Sequence, residues 1–142
     1  MEWMILPLKR YADFEGRSRR LEYWMFYLFQ LLVYVILFAI FIVAGPPMSG
    51  SDDTSLGAHP FAAIFLGLMV LFALGTVIPN IAVTVRRFHD QDKSGWMYLL
   101  MLIPYLGGLI VFVFMLLPGT VGENQYGLDP KGAGGDIREV FS

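Results

Sequence analysis

The sequence predicts an all-α integral membrane protein: three transmembrane helices, an N-terminal interfacial segment and a glycine-rich tail, forming a single membrane domain over residues 1–142. Three observations carry this reading. The first is the distribution of charge. No charged residue occurs from Tyr23 to Ala44, from Phe61 to Val85, or from Trp96 to Leu117, runs of 22, 25 and 22 residues. At ~1.5 Å per residue each run makes a helix of roughly 33–38 Å, enough to cross a hydrocarbon core of ~30 Å. A soluble domain would break such runs with a polar face. The second observation is where the basic residues lie, and the third is polar side chains at helical spacing inside the first two runs.

The segment 1–22 carries Lys9, Arg10, Arg17, Arg19 and Arg20, and its apolar residues include Trp3, Ile5 and Leu8. Pro7 argues against one uninterrupted helix here. The segment reads as chain lying at the cytoplasmic interface, with basic groups reaching lipid headgroups. The run 23–44 is too long for a signal-peptide core and reads as a retained span. Gly45-Pro46-Pro47 then stops it, in a loop holding Asp52 and Asp53 but no Lys or Arg. After the second span, 61–85, the next loop carries Arg86, Arg87 and Lys93. With the N-terminus in the cytoplasm, eight basic residues fall inside and the tail's Lys131 and Arg138 outside, as the positive-inside rule requires. Folding the third run, 96–117, at Pro104 would leave two halves each too short to span, so three spans with the tail outside is the preferred topology and a re-entrant or tilted segment its alternative. The tail, 118–142, is rich in glycine and proline near its start, a composition for turns.

In the first span Tyr23, Tyr27, Gln30 and Tyr34 share one helical face, and in the second Thr76, Asn80 and Thr84 do the same. Lipid cannot satisfy an amide, so Gln30 and Asn80 are expected to face each other or a second copy. Pro79 frees the Gly75 carbonyl, which predicts a kink with a polar side chain close by. Ala63 and Gly67 form a small-xxx-small pair suited to close helix approach. These stripes read first as packing contacts. A polar path is the competing reading, and it requires an oligomer, because three helices enclose no hydrated pore and neither stripe has an intramembrane ionisable group.

Three charged or turn-rich segments flank the spans. They are Phe14-Glu15-Gly16-Arg17-Ser18-Arg19-Arg20-Leu21-Glu22-Tyr23-Trp24, then Arg86-Arg87-Phe88-His89-Asp90-Gln91-Asp92-Lys93-Ser94-Gly95-Trp96, then Gly122-Glu123-Asn124-Gln125-Tyr126-Gly127-Leu128-Asp129-Pro130. In this order around three spans, and over roughly residues 10–130, the chain resembles a bacterial inner-membrane family known as domain of unknown function 805. The resemblance implies a multi-pass inner-membrane protein. It supplies no reaction or ligand.

His89, Asp90 and Asp92 offer an imidazole and two carboxylates, but a metal site needs three or four convergent ligands, adjacent His89 and Asp90 diverge on a helix, and His59 falls across the membrane in this topology. Activation of Ser94 by His89 lacks a supporting nucleophile elbow. No catalytic residue, metal or cofactor is therefore expected, and nucleic-acid binding is disfavoured by the interleaved acidic residues. With no cysteine, disulfides and thiol chemistry are excluded. Structural roles suit these residues better. Asp90 pairs with the arginines, Ser94 caps the third helix and Trp96 anchors it. Asn124, Tyr126 and Asp129 build turns that plug the helix ends or dock a periplasmic partner. Arg17, Arg19, Arg20, Arg86, Arg87 and Lys93 form a basic cytoplasmic collar for anionic headgroups such as phosphatidylglycerol or cardiolipin. The leading expectation is a non-enzymatic membrane scaffold or accessory subunit, lipid-associated and joined to itself or to another membrane protein. The alternative is an oligomeric channel or transporter component with a Gln30/Asn80 path.

Overall fold

The computed structural model of the chain describes residues 2–44, 60–130 and 132. The loop with its Gly45-Pro46-Pro47 stop, Asp52, Asp53 and His59, and the far tail with Lys131 and Arg138, lie outside the described residues. Among the described residues four α-helices and one 3-10 segment follow one another: α1 (Glu2–Lys9), α2 (Arg20–Ala44), α3 (Pro60–Asp90), the 3-10 segment (Gly95–Leu102) and α4 (Gly107–Leu116). Among the described residues there is no strand, only an isolated bridge between Asn124 and Gly127.

Among the described residues two helices, α2 and α3, are long and apolar enough to cross a membrane. At ~1.5 Å per residue, α2 is roughly 37 Å long and α3 roughly 46 Å. They run antiparallel, with Gln30 beside Asn80, Tyr34 against Phe72 and Phe41 against Phe65. Helix α3 runs on beyond residue 85, so Arg86, Arg87, His89 and Asp90 are helical rather than loop residues.

The third apolar run departs from the expected single span. Pro104 lacks an N–H and pushes the residue before it out of the α region, and Ile103 is accordingly extended (φ −72°, ψ 116°). Tyr105 follows with φ 65°, so neither residue can continue a helix. The chain turns back there. The 3-10 arm of eight residues is ~16 Å long at ~2 Å per residue, and α4 is ~15 Å. Gly107 makes the close return feasible: a Cβ there would lie 2.2 Å from the Leu100 carbonyl oxygen. Both ends of this hairpin sit by the C-terminal end of α3, Gly95 against Val85 and Leu117 against Arg87. The tail therefore begins at the same end of the bundle as Arg17 and Arg86. Of the two expectations for the third run, this geometry has the form of the re-entrant alternative rather than of a straight third span.

Two further expectations are revised. Pro7 lies inside α1 without ending it, since in so short a helix its ring removes just one backbone bond, to Trp3. Ala63 and Gly67 are both exposed, with open space where a Gly67 Cβ would be, so they do not bring α2 and α3 together. Helix α3 also continues through Pro79, and the Gly75 carbonyl accepts a hydrogen bond from the Tyr11 hydroxyl at 2.9 Å.

The core is one-sided. Tyr23, Phe26, Val83, Phe88, Val111 and Met115 form it, with Trp24, Tyr98 and Phe114 packed around them. All belong to the end where α2 starts and α3 and α4 finish. Towards the other end of α2 and α3, residues such as Ile36, Ile40, Ile64 and Leu71 are exposed, as a lipid-facing surface would be.

Candidate functional site

The three segments singled out in the sequence converge on one buried polar cluster at this end. Asp90, on the last turn of α3, is its hub. One carboxylate oxygen accepts from Arg17 Nε at 3.0 Å and the other from Arg87 Nη1. Its backbone carbonyl accepts from the Thr120 amide at 2.8 Å and hydroxyl at 3.1 Å. Arg17 uses the rest of its guanidinium on tail carbonyls, those of Thr120 and Gly122 at 2.6 Å each. Arg87 also donates to the Leu117 carbonyl. A planar fork of five donors suits such carbonyl-rich turns, which explains an arginine rather than a lysine here.

Arg86 is fully buried and forms an ion pair with Glu22 at 3.1 Å. This contact is electrostatic rather than a well-aligned hydrogen bond, and the Arg86 guanidinium nitrogens have no hydrogen-bond partner among the described residues. Removing Glu22 would leave that charge buried without compensation. The Arg86 carbonyl meanwhile accepts from the Ser18 amide at 3.1 Å, tying the first segment to α3. Outside the spanning helices, slight desolvation would raise the Asp13 carboxyl, but the hydrogen bond and charge of Arg10 outweigh it and hold the group below the usual carboxylate range.

The tail closes over the cluster through its own turns. Asn124 donates to the His89 carbonyl at 2.9 Å and accepts from the Tyr126 amide at 2.9 Å, while Asp129 accepts from the Gly122 amide at 3.2 Å. Gly122 and Gly127 have φ of 82° and 124°, the left-handed region where a side chain is strained. The Tyr126 ring lies flat on His89, with centroids 3.9 Å apart and planes within 4°. His89 Nδ1 faces the Gly16 carbonyl at 3.3 Å. Gly119 has no room for a side chain, as a Cβ would fall 1.9 Å from an Asp90 carboxylate oxygen.

The six residues of the expected basic collar thus divide. Arg17, Arg86 and Arg87 are buried and committed to carboxylates or carbonyls. Arg19 lies over the Trp3 ring, Arg20 reaches the Leu116 carbonyl, and Lys93 lies over the Phe114 ring. The internal three pack a bundle end and present no common face to a headgroup. Among the described residues no three His, Asp or Glu side chains converge as metal ligands do.

The polar residues of α2 and α3 meet as well. Gln30 and Asn80 exchange reciprocal amide hydrogen bonds of 2.8 and 3.1 Å. Thr76 and Thr84 bond back to carbonyls of their own helix, those of Phe72 and Asn80. Tyr27 packs against Tyr23 and Tyr34 against Phe72. Ser94 caps the 3-10 segment by accepting from the Trp96 amide, and Trp96 is 79% exposed. Sequence reasoning assigned no role to Glu22, Thr120 or Gly119. Glu22 had a signal, as an acidic residue directly before a charge-free run, where a carboxylate needs a basic partner. Thr120 and Gly119 had none, since they act through backbone position.

A family model described as "Protein of unknown function (DUF805)" matches residues 11–128. The inner membrane protein YhaI of Escherichia coli K12 is 38% identical over 131 residues, covering 92% of this chain and 97% of the relative. The inner membrane protein YhaH of the same strain is 37% identical over 131 residues, covering 92% of this chain and 98% of the relative. No solved structure matches.

Proposed function

This chain belongs to the family of proteins of unknown function DUF805, and from that premise we propose that it is a non-enzymatic scaffold or accessory subunit of the bacterial inner membrane. In this reading α2 and α3 span the bilayer. The hairpin of 95–117 enters the cytoplasmic leaflet and returns, because each arm is about half of a ~30 Å hydrocarbon core. The N-terminal segment, the Arg86–Gly95 region and the tail then share the cytoplasmic side. The stretch 45–59 holds no Lys or Arg, which suits the opposite side under the positive-inside rule.

The observation that carries the scaffold over the channel is the Gln30–Asn80 pair. Each amide is satisfied by the other within one chain, which supports a packing contact over the lining of a path. The charged residues point the same way. Asp90, Arg17, Arg87, Glu22 and Arg86 compensate one another inside the fold, which is the economy of a rigid support rather than of a site for a reactant. The partners proposed are membrane lipid and the apolar helices of a second copy or another membrane protein.

The decisive experiment combines mass determination in lipid nanodiscs with aqueous maleimide labelling of Asn80→Cys, in a chain that has no native cysteine. The scaffold predicts a protected position 80 in whatever assembly forms. Ready labelling within an oligomer would favour the channel and overturn the scaffold.

A further inference from the structure

The two ends of the bundle differ in how much chain they hold. At the end with the buried charges, α4 runs alongside the first turns of α2. The Phe112 ring meets Trp24 edge-on, with centroids 5.7 Å apart, and the Leu116 carbonyl accepts from Arg20 at 3.1 Å. Rising along one helix matches falling along the other, so the two are antiparallel. At ~1.5 Å per residue, Gly107 then lies level with about Phe29 of α2. The 3-10 arm descends beside α3 in the same way, with Gly95 against Val85 and Leu99 sharing a groove with Ile81. The hairpin therefore stops near the level of the Gln30–Asn80 pair. Helix α1 belongs to the same end: Leu8 packs on its core, and the Tyr11 hydroxyl, at the Gly75 carbonyl, is the farthest reach of the N-terminal segment.

Beyond that level, among the described residues, only 31–44 of α2 and 60–74 of α3 continue. Tyr34 against Phe72 and Phe41 against Phe65 hold them together, and Ile36, Ile40, Ile64 and Leu71 around them are exposed. Four rods thus fill one half of the lipid-embedded part and two fill the other. At ~10 Å diameter a helix takes roughly 80 Å² of membrane area, so the hairpin adds roughly 160 Å² to one leaflet and nothing to its partner. Lipid has to pack around both halves. The leaflet that holds the hairpin is the more crowded, and bending with that leaflet outward supplies the area it lacks. Interfacial helices that fill one leaflet respond to curvature for the same reason.

We propose that the chain is a wedge that senses membrane curvature, accumulating where the leaflet that holds the hairpin is the convex side of a bend. In the topology proposed above this is the cytoplasmic leaflet, and the edge of an inward fold of the inner membrane bends in this sense. The partner surface is a bent bilayer rather than a particular headgroup. The wedge rests on the reading that the hairpin of 95–117 enters one leaflet, and it is independent of whether the protein acts as scaffold or channel. A second copy docked along the narrow half would fill the missing area and cancel the preference.

Tubes drawn outward from giant phosphatidylcholine vesicles that contain the full-length protein test it, because the outer leaflet of such a tube is convex. A single neutral lipid removes sorting by headgroup. Val121→Cys, at a position 85% exposed, takes an impermeant dye from outside only in copies whose wide end faces out. Those copies should be enriched in the tube over the vesicle by about twofold, and by more as the tube narrows. Asp53→Cys, dyed the same way, marks copies of the opposite orientation, which should be depleted by about the same factor. Equal tube-to-vesicle ratios for the two populations overturn the wedge, as does enrichment of the copies dyed through Asp53→Cys. In the chain carrying both substitutions each copy should take one outside dye. Copies that take two overturn the topology and the wedge together, whereas one dye per copy without sorting overturns the wedge alone.

Discussion

Arg17 and Asp90, 73 residues apart in sequence, meet at 3.0 Å in the buried end of the bundle, and the pair joins three segments of the chain that share no helix. Asp90 also serves Arg87, so one carboxylate compensates two guanidinium groups. Asp90→Asn therefore leaves two buried cations without their counter-charge. The expected cost is about 3–5 kcal/mol, as for breaking a buried pair from one side. Thermal unfolding in detergent, followed by circular dichroism, measures it. An unchanged midpoint would remove Asp90 from its place as hub.

The tail depends on a glycine that the charge pattern does not reveal. In Gly119→Ala the added methyl would meet the Asp90 side chain and its carbonyl oxygen, so tail or carboxylate must move. Overpacking of this kind costs about 1–3 kcal/mol. The loss should be local, exposing residues 118–130 to protease while α2 and α3 stay protected. Cleavage at the rate of the unaltered protein would show that the tail is held some other way.

The Gln30–Asn80 pair predicts strong non-additivity. Gln30→Leu strands the Asn80 amide in an apolar setting, at about 0.6–2 kcal/mol for a hydrogen bond between membrane helices. Gln30→Leu combined with Asn80→Leu removes both unsatisfied groups and should recover most of that loss. A double-mutant cycle on unfolding in mixed micelles reads the coupling, which should exceed about 0.5 kcal/mol. Simple addition of the two single effects would mean that the amides do not interact.

The returning hairpin predicts which positions react from the same side of the membrane. Ala12→Cys and Val121→Cys should label together with an impermeant maleimide from the cytoplasmic side. Asp53→Cys should label from the other. Tyr105→Cys, at the fully exposed tip of the hairpin, should resist labelling from both sides because lipid covers it. Labelling of Val121→Cys together with Asp53→Cys would restore three spans with an external tail.

Much of the fold is legible in the sequence, for a physical reason. A charge-free run of 22–25 residues has few stable places other than lipid, and a lone amide within it must find a partner. The spans at 23–44 and 61–85, and the faces bearing Gln30 and Asn80, follow from those rules. The same rules leave 96–117 open between a straight span and a re-entrant segment. Hydropathy counts apolar residues and is blind to direction, and the reversal at Pro104 and Tyr105 depends on dihedral angles and on the Gly107 contact with the Leu100 carbonyl.

The arginines mark the other boundary. From the sequence alone Arg17, Arg86 and Arg87 are cations at a membrane surface, and their number orients the chain. Whether a cation faces solvent or the interior depends on which carboxylates and carbonyls the fold brings within ~3 Å, and here those come from segments distant in sequence. The sequence by itself determined that the protein lives in a membrane, where its two long helices lie and which amides must be paired. Only the tertiary structure decided that the third run turns back, that the tail returns to Asp90, and that three arginines are spent inside. Composition sets the solvent a segment prefers, whereas direction and partnership come from contacts between residues that the chain keeps far apart.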